Sequence, residues 1–355
     1  MEQEYESLTT MEGVAAPPTL NPNRKHRRKA LVSVPDLFGR LGQGDSVALA
    51  QAITLIESHL PAHRLQAKEL VTMALAAERS SVRLGITGPP GVGKSSLIET
   101  LGLHLISECH HRIAVLAVDP SSLSSKGSIL GDKSRMPHLS ANQNAFIRPS
   151  PTSGSLGGVA QTTRETILLC EAAKFDVVIV ETVGVGQSET HVHQMVDCFL
   201  CLSLAHSGDE LQGIKRGVLE LSDIIRVTKA DGENEPWAKV AAQQIRNALH
   251  LMRARPDGWT VPVGICSSQN GVGIPEIWMD VLAFLSHLGP DHVVEKRKSQ
   301  EIDWMKDLVV QGLMQRLTQT NHAERAFTQA ETQIMRGQWD ARQAAEFMIR
   351  HLLPE

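Results

Sequence analysis

The sequence predicts an α/β fold built on a mostly parallel sheet, and three observations carry the prediction. Six short runs rich in β-branched and aliphatic residues recur between residues 81 and 290: "VRLGIT", "RIAVLAVD", "FDVVIVET", "CFLCLSL", "IIRVTKAD" and "VPVGICSS". Their apolar residues are continuous rather than alternating, as in strands covered on both faces. Helical lengths separate them, the alternation that parallel strands joined by crossover helices require. Finally, a glycine-rich turn, "GPPGVGKSS", stands between the first run and a helical stretch.

Composition sets the outer bounds. At 355 residues the chain can form one large α/β domain with helical additions, or two modest domains. Its 42% hydrophobic and 21% charged residues read as soluble and globular, and an aromatic content of only 4% predicts an aliphatic core. A formal net charge of -4 supplies no global positive field for nucleic acid or anionic lipid. Cys198 and Cys201 lie inside the apolar run "MVDCFLCLSLAH" and read as buried free thiols, which fits a reducing compartment. No run reaches the length of a spanning helix, and the acidic start "MEQEYES" is unlike a secretory signal, so a cytoplasmic location is expected.

In chain order, residues 1–30 read as a flexible leader whose basic run "RKHRRK" is a solvated arm. Residues 31–80 form a helical segment. Asp45 caps a helix carrying Val47, Leu49, Ile53 and Ile56, and "HRLQAKELVTMALAAE" continues with a second. Residues 81–290 hold the α/β core, and residues 291–355, after "HLGPD", return to helical spacing.

The phosphate signal is strongest. Gly88, Gly93, Lys94 and Ser95 satisfy GxxxxGK[ST] between a strand and a helix. In that context Gly88, Pro89, Pro90, Gly91, Val92, Gly93, Lys94, Ser95 and Ser96 would wrap phosphate with backbone N–H groups and the positive end of a helix. Lys94 would reach the β and γ phosphates, and Ser95 would ligate Mg2+. Asp119 and Asp132 follow the second run, and Glu181 ends the third; an acid at a strand's carboxyl end beside a phosphate loop completes a Mg2+ shell. Gly184 could bring its N–H against the γ phosphate. Bare of other context, the loop "SGDELQGIKRG" at 207–217 is a solvated turn.

A base-reading element follows. Asp231 sits just beyond "IIRVT", where a carboxylate can accept from both N1–H and the exocyclic amine of guanine, a pair adenine does not offer. Lys229 can lay its stem over the ring. Ser267 and the backbone of Ser268 would meet the guanine carbonyl, with Gly271 and Gly273 shaping the turn. Thr228 departs from the usual Asn. An Asn amide both donates and accepts, whereas Thr offers one hydroxyl on a shorter stem, so a looser tie to the phosphate loop is expected.

The motifs "VDPSS" (118–122), "GGVA" (157–160), "TRET" (163–166), "ETVGVGQSE" (181–189), "GDELQGIKRG" (208–217) and "KADG" (229–232) closely resemble the MeaB-like or ArgK-type GTPases. These are G-protein chaperones of adenosylcobalamin-dependent acyl-CoA mutases. The resemblance covers about residues 31–320. It implies a SIMIBI-class P-loop core at 81–290 and a dimerisation arm at 291–355. It further implies GTP hydrolysis with Mg2+, slow alone and stimulated by a mutase whose adenosylcobalamin loading, protection and reactivation the protein gates. Residue by residue, Lys94 and Ser95 match the phosphate-loop pair, Asp119 and Asp132 the first switch, Glu181 the second, and Lys215 the third, which engages the mutase. Gln187 lies near the usual switch glutamine without being assigned as a base.

Two alternatives stay open at this stage. A small-molecule kinase would share the phosphate loop but needs an acceptor pocket with its own carboxylate. A metal-insertion GTPase needs exposed His/Cys clusters, for which His191 and His193 offer only HxH. The acyl-CoA handled by the mutase is not written in the sequence.

Overall fold

The computed structural model describes residues 33–58, 60–77, 81–118, 135–149, 156–182, 188–205, 216–318 and 321–352. The leader and its basic run lie outside them. Helix α1 (Val34–Gly42) starts at Ser33, whose hydroxyl accepts from the Asp36 N–H. Helix α2 (Ser46–Ile56) starts at Asp45, whose carboxylate accepts from the N–H groups of Val47 and Ala48, as its spacing predicts. Val47 itself faces solvent; the inward face is Ala48, Leu49, Ala52 and Ile53. Helix α3 (Pro61–Ala76) completes this layer.

Seven strands follow: β1 (Val82–Thr87), β2 (Ile113–Val118), β3 (Ala145–Arg148), β4 (Val177–Thr182), β5 (Cys198–Leu204), β6 (Ile224–Thr228) and β7 (Val263–Ile265). They form one sheet in the order β3-β2-β4-β1-β5-β6-β7, with every neighbouring pair parallel. Six of them are the apolar runs of the sequence. The edge strand β3, "AFIR", is too short and too polar at its end to announce itself.

Helices α4 (Lys94–Ser107), α5 (Pro137–Ala141), α6 (Leu156–Ala172), α7 (Ser188–His193), α8 (Arg216–Leu221) and α9 (Glu235–His250) connect the strands, and α10 (Ile274–Thr318), α11 (Asn321–Met335) and α12 (Ala341–Leu352) close the chain. One sheet face packs on α1 to α3 and α6, through Leu41, Leu49, Ile53, Leu169 and Phe199. The other packs on α4 and the first part of α10, through Leu97, Leu101, Ile277 and Phe284. A smaller apolar cluster lies under α8 and α9. Each fully buried Leu or Ile contributes roughly 2 kcal/mol of transfer free energy, so aliphatic side chains hold the sheet without many aromatics. Cys198 and Cys201 are buried in β5, where loss of solvent pushes both thiols up, Cys201 to about 12.

Helix α10 kinks at Gly289 (φ 76°), and Pro290 opens its second half, where a missing N–H costs nothing. That half returns to the amino-terminal rim of the sheet. Arg297 binds the Asp197 carboxylate at 2.6 Å and the Ser81 carbonyl at 2.6 Å, while Arg83 pairs with buried Glu171 at 2.7 Å. Buried ion pairs gain little net energy after desolvation but tolerate few geometries, so they register the helix on the sheet. Among the described residues no helix is long and apolar enough to cross a membrane.

Candidate functional site

Because all strands run in parallel, their carboxyl ends share one rim, and the phosphate loop, Glu181, Thr228 and the serine turn after β7 stand at those ends. The phosphate loop leaves central β1, flanked by β4 and β5, at the point where the chain switches from one side of the sheet to the other. Gly88 lies where a Cβ would come 2.7 Å from the Leu202 carbonyl, so the loop can leave the strand only through glycine. Gly93, in the left-handed region, delivers the chain into α4, whose first residue is Lys94.

Lys94 is buried to 7% exposure, and its Nζ donates to the carbonyls of Gly88 at 2.6 Å and Pro89 at 3.1 Å. Burial lowers its pKa; the charges of Glu181 and Glu189 oppose the shift. The Ser95 hydroxyl donates to Glu181 Oε1 at 3.3 Å, so two of the expected Mg2+ ligands meet between the start of α4 and the end of β4. One residue on, the Thr182 hydroxyl donates to the Thr87 hydroxyl at 2.9 Å, with both side chains buried. That pair was not foreseen, since only the register Ile86 to Glu181 brings it together. An oxygen-donating hydroxyl and carboxylate beside a buried lysine suit a hard divalent cation and phosphate. Asp119, Asp132, Gly184 and Lys215 lie outside the described residues.

The base-side elements assemble from β6 and β7. Thr228, expected to be a looser tie than Asn, does reach the phosphate loop. Its buried hydroxyl reaches the Val92 carbonyl in the phosphate loop at 2.7 Å and the Ser203 carbonyl at 3.2 Å. A short branched stem suffices because β6 ends close beneath the loop. Lys229 adopts a left-handed backbone (φ 57°) that leaves its side chain exposed, while Ala230 turns inward and donates its N–H to the Cys266 carbonyl at 3.1 Å. Asp231 is half-buried next to it. The Ser267 hydroxyl accepts from the Gln269 N–H at 3.2 Å, and the Ser268 carbonyl accepts from Thr100 on α4 at 3.2 Å, so the serine turn is fastened to the phosphate-loop helix. Gly273 has no substitute, since a Cβ there would come 2.2 Å from the Ile265 carbonyl.

His193 turns its ring edge-on to Phe199 at 5.6 Å and is committed to packing. Burial, with Lys296 and Arg255 nearby, lowers its pKa to about 4. A separate cleft of about 860 Å3, lined in part by Arg246, Met252, Arg253 and Trp259, opens at the opposite end of β6 and β7 and takes no part in this rim.

The family described as "Methylmalonyl Co-A mutase-associated GTPase MeaB" matches residues 49–322 of the chain. The GTPase ArgK of Escherichia coli is 44% identical over 291 residues, covering 82% of this chain and 88% of that protein. The mouse protein named methylmalonic aciduria type A homolog, mitochondrial, is 40% identical over 330 residues, covering 89% of this chain and 79% of its own. A crystal structure of a LAO/AO transport system kinase superposes with a TM-score of 0.72 at 35% identity, covering 90% of this chain and 98% of that one. Together with the strand–loop–helix geometry around Lys94, these matches make the chain a GTP-hydrolysing P-loop protein of the methylmalonyl-CoA mutase-associated GTPase MeaB family.

Proposed function

We propose that this GTPase serves an adenosylcobalamin-dependent acyl-CoA mutase, methylmalonyl-CoA mutase or a relative acting on another branched acyl-CoA. In its GTP state it gates loading of the cofactor, protects the site from damaged cofactor and assists reactivation. The observation that carries the nucleotide half is the convergence of Lys94, Ser95 and Glu181 with a base loop that Thr228 ties to the same phosphate loop. Family membership supports the partner half.

On binding, Lys94 exchanges the Gly88 and Pro89 carbonyls for β and γ phosphate oxygens, a trade of neutral acceptors for charged ones. Ser95 and Glu181, with Asp119 and Asp132, would hold Mg2+, which spreads the charge that builds during in-line attack of water. Gly184 adds a backbone donor at the γ phosphate. Asp231 reads the guanine edge, Lys229 covers its face, and Ser267 and Ser268 complete the pocket. Lys215 touches the mutase, and the slow intrinsic reaction is accelerated there. The protein acts as a homodimer through α10, whose exposed Ile302, Met305, Val309 and Leu313 follow a helical stripe.

The test is capture of partners from native lysate on the full-length protein loaded with a non-hydrolysable GTP analogue. Recovery of an acyl-CoA mutase that accelerates GTP hydrolysis, with the acceleration lost in Lys215→Ala and basal hydrolysis kept, is the expected result. A mutase that neither binds nor stimulates overturns the partner assignment.

A further inference from the structure

Strand β6, "IIRVT", carries an arginine in the middle of an otherwise aliphatic run, and Arg226 is buried to 4% exposure. A guanidinium keeps its charge when buried, so its place in a core costs free energy unless acceptors surround it. Nη1 donates to the Ile225 carbonyl at 3.1 Å. Nη2 donates to the Glu276 carbonyl at 3.4 Å and pairs with the Asp280 carboxylate, one turn further along α10. Among the described residues Nε has no partner, and an apolar side chain of this volume would pack here without that loss. Gly264 stands opposite Arg226 in the register of β6 and β7, and a Cβ there would come 3.1 Å from the guanidinium carbon. The arginine therefore crosses the edge strand β7 to reach α10.

The three elements that Arg226 joins lead into the base side of the site. Strand β6 runs two residues further, to Thr228 on the same face, and then into Lys229 and Asp231. Strand β7 leads to the serine turn, which closes through the Ser267 N–H and the Val272 carbonyl at 2.9 Å. Helix α10 starts directly after that turn, at Ile274. Beyond the strand ends, the Ala230 N–H and the Cys266 carbonyl tie the two segments at 3.1 Å. Deeper in the sheet, Arg226 holds the first two turns of α10 against both strands.

We propose that Arg226 is a positioning residue for guanine recognition: through Asp280 and the Glu276 carbonyl it fixes the start of α10, and with it the serine turn, at a set distance from Asp231. Its guanidinium is committed to protein acceptors and acts on the base only through those two segments. The proposal rests on the base-reading roles of Asp231, Ser267 and Ser268. It needs no mutase, so a failed partner assay leaves it standing.

The experiment compares the full-length protein with Arg226→Met, which loses the donors, Arg226→Lys, which restores a charge for Asp280, and Asp280→Asn. Affinities for GDP and ADP are measured for each by competition titration with Mg2+ present. Arg226→Met is expected to weaken GDP about five- to tenfold, the scale of a lost charge-assisted contact, with ADP within about twofold of wild type, so that the preference for guanine narrows. Arg226→Lys is expected to recover most of that preference. Asp280→Asn, at a side chain 28% exposed and so tolerant of change, should narrow it in the same direction and decides the matter if Arg226→Met does not fold. A guanine preference unchanged in Asp280→Asn and in any folded Arg226→Met, or equal losses for GDP and ADP, overturns the proposal. Asp231→Asn is titrated alongside. A wild-type preference there overturns the base reading beneath the proposal, whereas a lost preference there beside an unchanged one in the Arg226 and Asp280 variants overturns the positioning role alone.

Discussion

Thr228 joins the two halves of the nucleotide site with a single hydroxyl. Its buried oxygen lies 2.7 Å from the Val92 carbonyl oxygen and 3.2 Å from that of Ser203. Removing it takes away the donor that serves the Val92 carbonyl, a loss of about 1 kcal/mol or more. We therefore expect Thr228→Val to weaken GDP binding about tenfold in a titration while leaving the preference for guanine over adenine intact. Asp231→Asn should behave differently: it loses a charged acceptor, weakens GTP at least about tenfold and relaxes discrimination against xanthosine triphosphate. Equal GTP affinity for Asp231→Asn and wild type would remove the base-reading role, and a Thr228→Val protein that binds as wild type would remove the tether. Lys94 and Ser95 were legible from spacing alone, because GxxxxGK[ST] between strand and helix has few other uses. Thr228 could be flagged as a departure, but its partners follow from where β6 ends beneath the loop, a distance no motif encodes.

At the scale of elements, the six apolar runs translated directly into strands because a parallel sheet buried on both faces demands continuous apolar side chains. The short strand β3 escaped because only Ile147 of its four residues is buried, so it carries no continuous apolar run. The hydroxyl pair Thr87 and Thr182 escaped for another reason: it is set by register between strands 95 residues apart. Helix α7 supplies the pH dependence. His193 is held near a pKa of about 4 against an ordinary 6.5, by burial first and then by Lys296 and Arg255. The unfolded chain therefore binds that proton more readily, and the stabilisation, present above pH 6.5, is lost as pH falls toward 4. The thermal midpoint should drop across that window, and His193→Gln should flatten the drop by up to about 3 kcal/mol of stability at pH 4. An unaltered slope in His193→Gln would show that other groups govern the acid limb.

At the scale of the whole molecule, the second half of α10 presents more apolar surface than a solvated helix needs. Val309 and Val310 are 54% and 60% exposed, beside Met305, Leu313 and Met314. Exposed apolar stripes of this kind mark association surfaces. The double variant Val309→Asp/Leu313→Asp is expected to convert a dimer into a monomer by sedimentation velocity, with folding preserved because both side chains already face out. A wild-type monomer at tens of micromolar would remove this surface as the dimer contact. The arm's root is of opposite character, buried and ionic, where Arg297 and Gln300 hold the segment leading into β5.

By itself the sequence determined the class of sheet and the phosphate loop with Lys94 and Ser95, because each rests on short spacings along one strand–turn–helix unit. Only the tertiary structure decided that Ser95 meets Glu181, that the Thr228 hydroxyl reaches the Val92 carbonyl, and that Gln300, more than 100 residues on in sequence, donates to the Val196 carbonyl. The physical reason is common to all three. A hydrogen bond between distant residues depends on strand register and on where a helix end comes to rest, and these are set by the packing of the whole core.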